Sequence, residues 1–461
     1  MEVDRRTVLK GGAVVGAAGL TGSAVLRDSD ADVSRSADWG DQGPPVAYES
    51  YDTHRVSQAG DGDFETIQGA VNAASERDLV LVERGVYREE VEIHDTDRLT
   101  IRGTDREAVV LDGEFDRYNG IIATTDGVVV ENLTVRNYNG NGVYWLSQSV
   151  AEPLRGYRGS YITAHHIGVY GIYARNAEKG RFEGCYASGC ADAGYYIGES
   201  QPAHAVITDC IAEYNGMGYS GTNAGGDLVI RDSIWRENMV GIVPNTLDSQ
   251  AGAPQGHLSG GIRIENNHIH DNNRLNVPAT ANAYAMFGSG VAIAGGQRND
   301  ICDNTIENQE KYGVVLFPMI TDTSATSLPL RIARGFAPVL SDDHFYRPRD
   351  NAVMRNEVRG SGRVDLALAA PASGNAFADN DAGSTRPALL ERRDGSFGDV
   401  MVFLQVLKDF TQTEVGEYPR GTTEGQPQPD LDGLHADLDS YELDDPEGTP
   451  PRTPIGGMAD E

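Results

Sequence analysis

A six-residue pattern recurs nine times between residues 132 and 380, and nothing else in the chain restricts its fold so strongly. The pattern runs small-polar, any, mostly apolar, any, any, polar. Its copies are NLTVRN (132–137), SYITAH (160–165), CYASGC (185–190), CIAEYN (210–215), SIWREN (233–238), NHIHDN (267–272), NTIENQ (304–309), NEVRGS (356–361) and NAFADN (375–380). Most are followed by a glycine and an apolar partner: Gly142-Val143, Gly171-Ile172, Gly194-Tyr195, Gly218-Tyr219, Gly241-Ile242 and Gly313-Val314. The first spacings are 28, 25, 25 and 23 residues. Units this short, with β-branched strands, Asn at turns and Gly before strands, describe coils that stack into a solenoid. One coil cannot bury its own apolar face. Stacking sets equivalent positions one strand spacing apart, about 4.8 Å. Asparagine columns then bond up the stack, as in cross-β ladders. The units lack helical periodicity and are too short for propeller blades.

The same alignment governs the cysteines. Cys185 is expected to share a column with Asn132, Ser160, Cys210 and Ser233, and Cys190 one with Asn137, His165, Asn215 and Asn238. Small buried thiols explain these positions without metal or redox chemistry. Cys185 and Cys210 would stack within disulfide reach, but parallel Cβ vectors oppose the bond, and free thiols are expected. His268 and His270 stand two apart on one strand face, and no third ligand is spaced to complete a metal site. Asn132 heads a glycosylation sequon, NLT, but a buried ladder position argues against modification.

The repeat, N-x-I-x-x-N followed by G-I-x-L, resembles that of the pectate-lyase-like superfamily over roughly residues 60–385. The resemblance implies an all-β, right-handed parallel β-helix solenoid. The stretch GYSGTNAGGDLVIRDSIWRENMVGIVPNT (218–246) is also similar to a widespread group of secreted bacterial and archaeal β-helix proteins of unassigned role. At the entrance, DGDFETIQGAVNAASERD puts Ile67, Ala70, Val71 and Ala74 on one helical face, which predicts a helix capping the first coil. This opening resembles that of pectin methylesterases, in which DF-x-TIQ-x-AV and GVY-x-E-x-V recur; here these are Asp63 to Val71 and Gly85 to Val91. That family's paired catalytic aspartates, Gln positions and Arg-Trp motif have no match, so the activity is not carried over. Tyr87 and Glu89 are read as structural.

The two ends read differently. Residues 1–30 contain Arg5-Arg6 followed by a Gly/Ala-rich, mildly apolar run, and resemble a twin-arginine export signal. Asp4 and Val8 depart from the usual signal residues, and no clear cleavage site follows. The apolar run is short for a membrane span. Membrane contact is thus expected only through an uncleaved signal, with the protein extracellular or at the cell surface. Residues 31–59 read as linker, 386–415 as a C-terminal cap built on GDVMVFLQVLKDF, and 416–461 as an acidic disordered tail.

Charge narrows the partners. The formal net charge is −31, and of 38 basic residues only four are lysines, Lys10, Lys179, Lys311 and Lys408. Such a surface suits high salt, where screening removes the cost of self-repulsion. Nucleic-acid binding needs a positive footprint and is not expected.

Long loops follow the Gly-apolar strands at 145–156, 198–205, 244–261, 274–290 and 318–350. They are expected to line one edge of the solenoid, the usual binding side of repeat proteins. Tyr144, Tyr173 and Tyr196 stand two residues after their glycines in three successive coils. Period-two alternation turns them outward if Val143, Ile172 and Tyr195 face in. Such a column suits sugar rings; it equally suits a structural tyrosine ladder. Asn223 and Asn245 lie near it as further substrate-binding candidates. Glycosidase chemistry would draw two carboxylates about 5–10 Å apart from Asp192, Glu199 and Asp248. Lyase or epimerase chemistry on a uronate would use Arg175 or His204, with Ca²⁺ as the one cofactor to consider.

Three readings follow. The first is an exported, salt-adapted, monomeric β-helix that binds, and in its enzymatic form cleaves, an extracellular polysaccharide as a lyase or glycoside hydrolase. The second is a non-catalytic cell-surface or matrix binding scaffold. The third, an accessory factor similar to β-helix proteins that assist copper-enzyme maturation, would need a His/Met/Cys cluster that the sequence lacks.

Overall fold

A computed structural model describes residues 52–147, 149, 152–245, 260–320, 345–369, 374–392, 398–412, 423, 426–429 and 431. The expected solenoid is present. Each full coil contributes one strand to each of three parallel stacks. Sheet one runs from Thr53–Val56 through Leu79–Val82 and Thr100–Gly103 up to Ala376–Ala378. Sheet two runs from Gly85–Tyr87 to Asp381–Ala382, and sheet three from Val91–Ile93 to Thr385–Arg386. The long strands Val128–Arg136 and Leu154–His165 pass through sheets one and two without a break. Each sheet turns alternate side chains inward, and one sheet-one column illustrates the result. Val80, Ile101, Val130, Gly159, Phe182, Ile207, Ile230, Ile264, Ile301 and Val353 follow one another in register and are buried. This run of mostly β-branched residues is what the sequence offers in place of a globular core.

The glycine that recurs at the start of the central sheet-three strands has a steric cause. A Cβ on Gly142 would lie 2.4 Å from the carbonyl oxygen of Gly171, and one on Gly218 would lie 2.7 Å from that of Gly241. Each glycine thus leaves room for the carbonyl of the next coil, and a side chain at either would press on it.

The chain leaves sheet one through a single left-handed residue in each coil, such as Asn132 (φ 57°), Tyr161 (φ 51°), Asp209 (φ 53°), Asp232 (φ 50°), Asn266 (φ 54°) and Asp303 (φ 58°). The residue after it faces inward and builds the first column. Cys210 N–H donates to Ser233 Oγ (3.0 Å), Asn267 to Asn304 (3.0 Å), Asn304 to Asn356 (2.9 Å) and Asn356 to Asn380 (2.9 Å). A second column joins Asn215, Asn238, Asn272 and Gln309. A third, before sheet one, joins Asn299, Asn351 and Asn375.

Three of the nine repeat copies are out of frame. Register pairs Leu133 with Ile162, and Ile162 N–H reaches Cys185 Sγ at 3.5 Å. Leu133 and Ile162, not Asn132 and Ser160, therefore share the cysteine column. Asn132 instead makes the left-handed bend, its amide donating to Gly103 O at 2.8 Å, and it is buried as expected. One position further on, Ile167 and not His165 precedes Cys190, since Ala191 N–H donates to Ile167 O. The last copy, NAFADN, starts a column early, because Asn375 bonds Asn351.

Both ends also differ from expectation. The helix Ile67–Ala73 is present and buries Ile67, Ala70 and Val71 in the main core. The Glu89 carboxylate accepts Ile67 and Gln68 N–H at 2.9 and 3.0 Å, which accounts for Glu89 as a helix cap. The strand Thr53–Val56 already belongs to sheet one, so the stack begins inside the stretch read as linker. At the far end the cap divides. Leu390 plugs the core, and Glu391 accepts from both nitrogens of Asn380 (3.0 and 2.8 Å), finishing the ladder. The helix Val400–Gln412 does not cover the last coil. It lies on the outer face of sheet three, with Val402, Phe403 and Val406 beside Tyr312, Val315 and Val364. Asp409 anchors it to Arg363 (2.6 Å) and Lys311 (3.2 Å). Leu431, inside the expected disordered tail, packs on Tyr186, Ile211 and Ile234 of sheet two. The signal segment lies outside the described residues.

Candidate functional site

The outer face of sheet three carries two adjacent columns in its first coils. One is Glu92, Ile122, Tyr144, Tyr173 and Tyr196. The other begins with His94 and Thr124, one residue beyond the Ile93–Ala123 pair, and continues through Leu146 and Arg175. The inward partners Val143, Ile172 and Tyr195 are buried in the main core, so the tyrosines face outward as alternation requires.

Tyr144 and Tyr173 stack in parallel, with centroids 4.2 Å apart and planes 7° apart. Tyr173 meets Tyr196 edge-on at 5.0 Å, and Tyr170 leans on both at 4.6 and 4.4 Å. This packing corrects one expectation. The ring faces are spent on one another, and Tyr173 and Tyr196 are each only 8% exposed. Only Tyr144 stays half-open, so the column offers edges and hydroxyl groups, not open rings. Burial pushes the Tyr196 phenol up to about 12 and raises Tyr144, so these groups act as hydrogen-bonding phenols near neutrality and not as phenolate bases. Tyr196 is fixed by Gly198: a Cβ there would lie 2.1 Å from Tyr196 Cε1.

Arg175 closes the second column. Its guanidinium pairs with Glu199 at 2.8 Å, and both stay partly exposed at 43% and 35%. The Glu199 hydrogen bond holds Arg175 firmly protonated. Asn223 and Asn245 lie one and two coils further on. Both are buried and joined by a backbone bond of 2.9 Å, so they support the edge and do not line its surface.

Asp192 does not join Glu199. The two flank the strand Ala193–Gly198, which at about 3.3 Å per residue separates them by roughly 20 Å. That exceeds the spacing of a glycosidase pair. Burial pushes the Asp192 carboxyl up to about 7, partly offset by the nearby Thr280. Thr280 belongs to the loop at 274–290, which leaves before sheet three, not after it as expected. It lays the helix Ala281–Met286 over the sheet, and Thr280 N–H donates to Ala191 O at 2.8 Å. His204 stands apart beside Asp227 at 3.2 Å, at the entry to sheet one. Asp248 lies outside the described residues.

An open cleft of about 540 Å³ continues the same two columns toward the first coils. His94, Thr124, Asp126, Ser147, Ser149, Glu152, Pro153 and Leu154 line it. Its walls are bonded together: His94 Nδ1 to Thr124 Oγ1 at 2.9 Å, the Ser147 hydroxyl to Glu152 O at 2.5 Å, and Arg155 N–H to Asp126 at 2.7 Å. Sequence reasoning named the loop at 145–156, which supplies Ser147 to Leu154, but missed His94, Thr124 and Asp126, because the six-residue repeat begins only after them, at Asn132. Carrying the period-two rule one coil back from Tyr144 would have reached Ile122 and Thr124. Among the described residues no three His, Cys, Asp or Glu side chains gather as a metal site, and all four cysteines are free and buried. His268 and His270 stack on each other and pair with Glu307 and Asp271.

Comparison with known proteins agrees with this architecture. Residues 155–318 match the family described as right handed beta helix region. The solenoid is a right-handed parallel β-helix. Residues 2–22 match the twin-arginine translocation pathway signal sequence, which marks the chain for export by that route. No helix among the described residues is long and apolar enough to cross a membrane. No curated protein matches the chain. Among solved structures it is similar to the A-module of Azotobacter vinelandii mannuronan C-5 epimerase AlgE4, at 18% identity and TM-score 0.46, covering 75% of this chain and 94% of that one. It is also similar to the family 6 polysaccharide lyase Pedsa3628 of Pseudopedobacter saltans, at 11% identity and TM-score 0.42, over 77% and 89% of the two chains. Likeness this distant assigns no chemistry to this chain.

Proposed function

We propose that this protein is exported and binds an extracellular polysaccharide along the outer face of sheet three, from the His94 cleft to the Arg175–Glu199 pair. The observation that carries the reading is the continuity of two side-chain columns over this distance. Three coil steps separate His94 from Arg175, about 14 Å at the strand spacing, which suits a chain of sugars better than a single one. The path offers hydroxyls at Thr124, Ser147 and Tyr144, a histidine, and a half-exposed guanidinium–carboxylate pair. Sugar hydroxyls both donate and accept, and such mixed edges suit them. The wide separation of Asp192 from Glu199 favours a binding scaffold over a two-carboxylate hydrolase.

One observation favours a second, catalytic reading. Asp192, with its carboxyl raised to about 7, could hand over a proton near neutrality, and it stands close to Tyr170. The test is retardation of the purified protein in gels carrying polysaccharides, with reducing ends and unsaturated products followed in parallel. Tyr144→Ala and Arg175→Ala should each weaken retardation about five- to tenfold, roughly 1–1.4 kcal/mol. Product formation abolished by Asp192→Asn would establish the second reading. No retardation by any polysaccharide would overturn the first.

A further inference from the structure

The geometry points to an uncharged, hydroxyl-rich polysaccharide as the ligand, seated in the cleft between Thr124 and Glu152; this inference rests on the groove reading above. The lining is decisive. It presents two carboxylates, Asp126 and Glu152, three hydroxyl residues, Thr124, Ser147 and Ser149, and one imidazole, with no lysine or arginine among the described lining residues; Arg98 and Arg155, the cations that act on Asp126, are themselves paired with Glu76 and Glu178. Asp97 stands behind Asp126, its carboxylate accepting Asp126 N–H at 3.2 Å. Glu92 lies beside His94 at 3.1 Å. Carboxylate oxygens accept hydrogen bonds and cannot donate them. A uronate would bring another anion against them; a neutral sugar brings hydroxyl donors.

Arg175, at the other end of the groove, does not reverse this balance. Arg175 is already paired with Glu199, so its charge is compensated where a sugar carboxylate would need it free. The net charge of −31 adds long-range repulsion toward any polyanion, weakened but not inverted by salt. The cleft is also a built feature. The Ser147 hydroxyl holds the rim through Glu152 O, and the Asn176 amide holds it through Ser149 O, both at 2.5 Å. The volume of about 540 Å³ lies within the range of small-ligand pockets, about 300–1,000 Å³.

The experiment compares retardation of the full exported chain in gels carrying a neutral glucan or mannan, or alginate or polygalacturonate, all at the same molar salt. The neutral polymers should bind at least about tenfold more tightly than the polyuronates, roughly 1.4 kcal/mol. Thr124→Trp, which fills the cleft, should weaken neutral binding about fivefold or more with an unchanged melting temperature. Glu152→Lys should weaken neutral binding and raise uronate binding. Retention by polyuronates alone would overturn the ligand class and leave the groove standing. Neutral binding unaffected by both variants would overturn the cleft as the site. Binding of neither class would overturn the groove reading itself.

Discussion

Cys185, Cys190 and Cys210 stand where the interior columns change character. Below them the columns are apolar, with Leu133 and Ile162 in one and Ile167 in the other; above them they become Ser233, then Asn267, and Asn215 then Asn238. A thiol is small, tolerates an apolar neighbour and still accepts a weak hydrogen bond, so it suits that boundary. The columns were legible in the sequence wherever they are polar. They were misread at Asn132 and Ser160 because the alignment sought a polar letter where the fold uses leucine and isoleucine. Two residue-scale predictions follow from packing. Gly198→Ala should displace Tyr196 and cost about 1–3 kcal/mol in urea denaturation; a parent-like midpoint would contradict the close approach. His165 and His166 bring their Nδ1 atoms within 2.8 Å; burial, the largest effect, then His166 at His165, and Arg136 at both lower them to about 3 and about 4. Unfolded imidazoles titrate near 6.5, so the unfolded chain binds more protons between about 6.5 and 3. The contribution is fully present above that range and is lost as pH falls through it. His166→Gln should flatten this part of the stability–pH curve, and an unchanged slope would contradict it.

Among the elements, the strands were readable because a period of two and a stacking period near two dozen residues act together. The side helix was not. The block at 398–410 shows an apolar face, but nothing local says whether that face meets the end of a solenoid or its flank. Its destination depends on Tyr312, Val315 and Val364, on two strands of other coils. The loop at 274–290 was misplaced for a similar reason, since its apolar residues Val277, Ala283 and Tyr284 look like loop filler until sheet three lies beneath them. Phe403 is fully buried in this second core. Phe403→Ala should cost about 3–5 kcal/mol if the helix unfolds together with the solenoid. A loss below about 1 kcal/mol, with the helix melting separately by circular dichroism, would show that it is only loosely docked.

At the scale of the whole molecule, the acidic composition and the surface arginines work as a pair. Arg84, Arg88, Arg355 and Arg359 each hold a carboxylate on a neighbouring coil: Asp105, Glu114, Asp303 and Asp381. Exposed pairs of this kind contribute little individually, and the remaining carboxylates repel. The melting temperature should therefore rise from 0.1 M to molar KCl as the screening length shrinks from about 10 to about 3 Å; a flat or falling curve would contradict salt adaptation. The central claim concerns where on this long surface a polysaccharide lies. Hydrogen exchange of the exported chain, with and without a bound neutral polysaccharide, tests it directly. Added protection should appear in Val143–Leu146, in Tyr170–Arg175 and at the 152–154 rim, with the outer faces of sheets one and two unchanged. Protection confined to sheets one or two would contradict it.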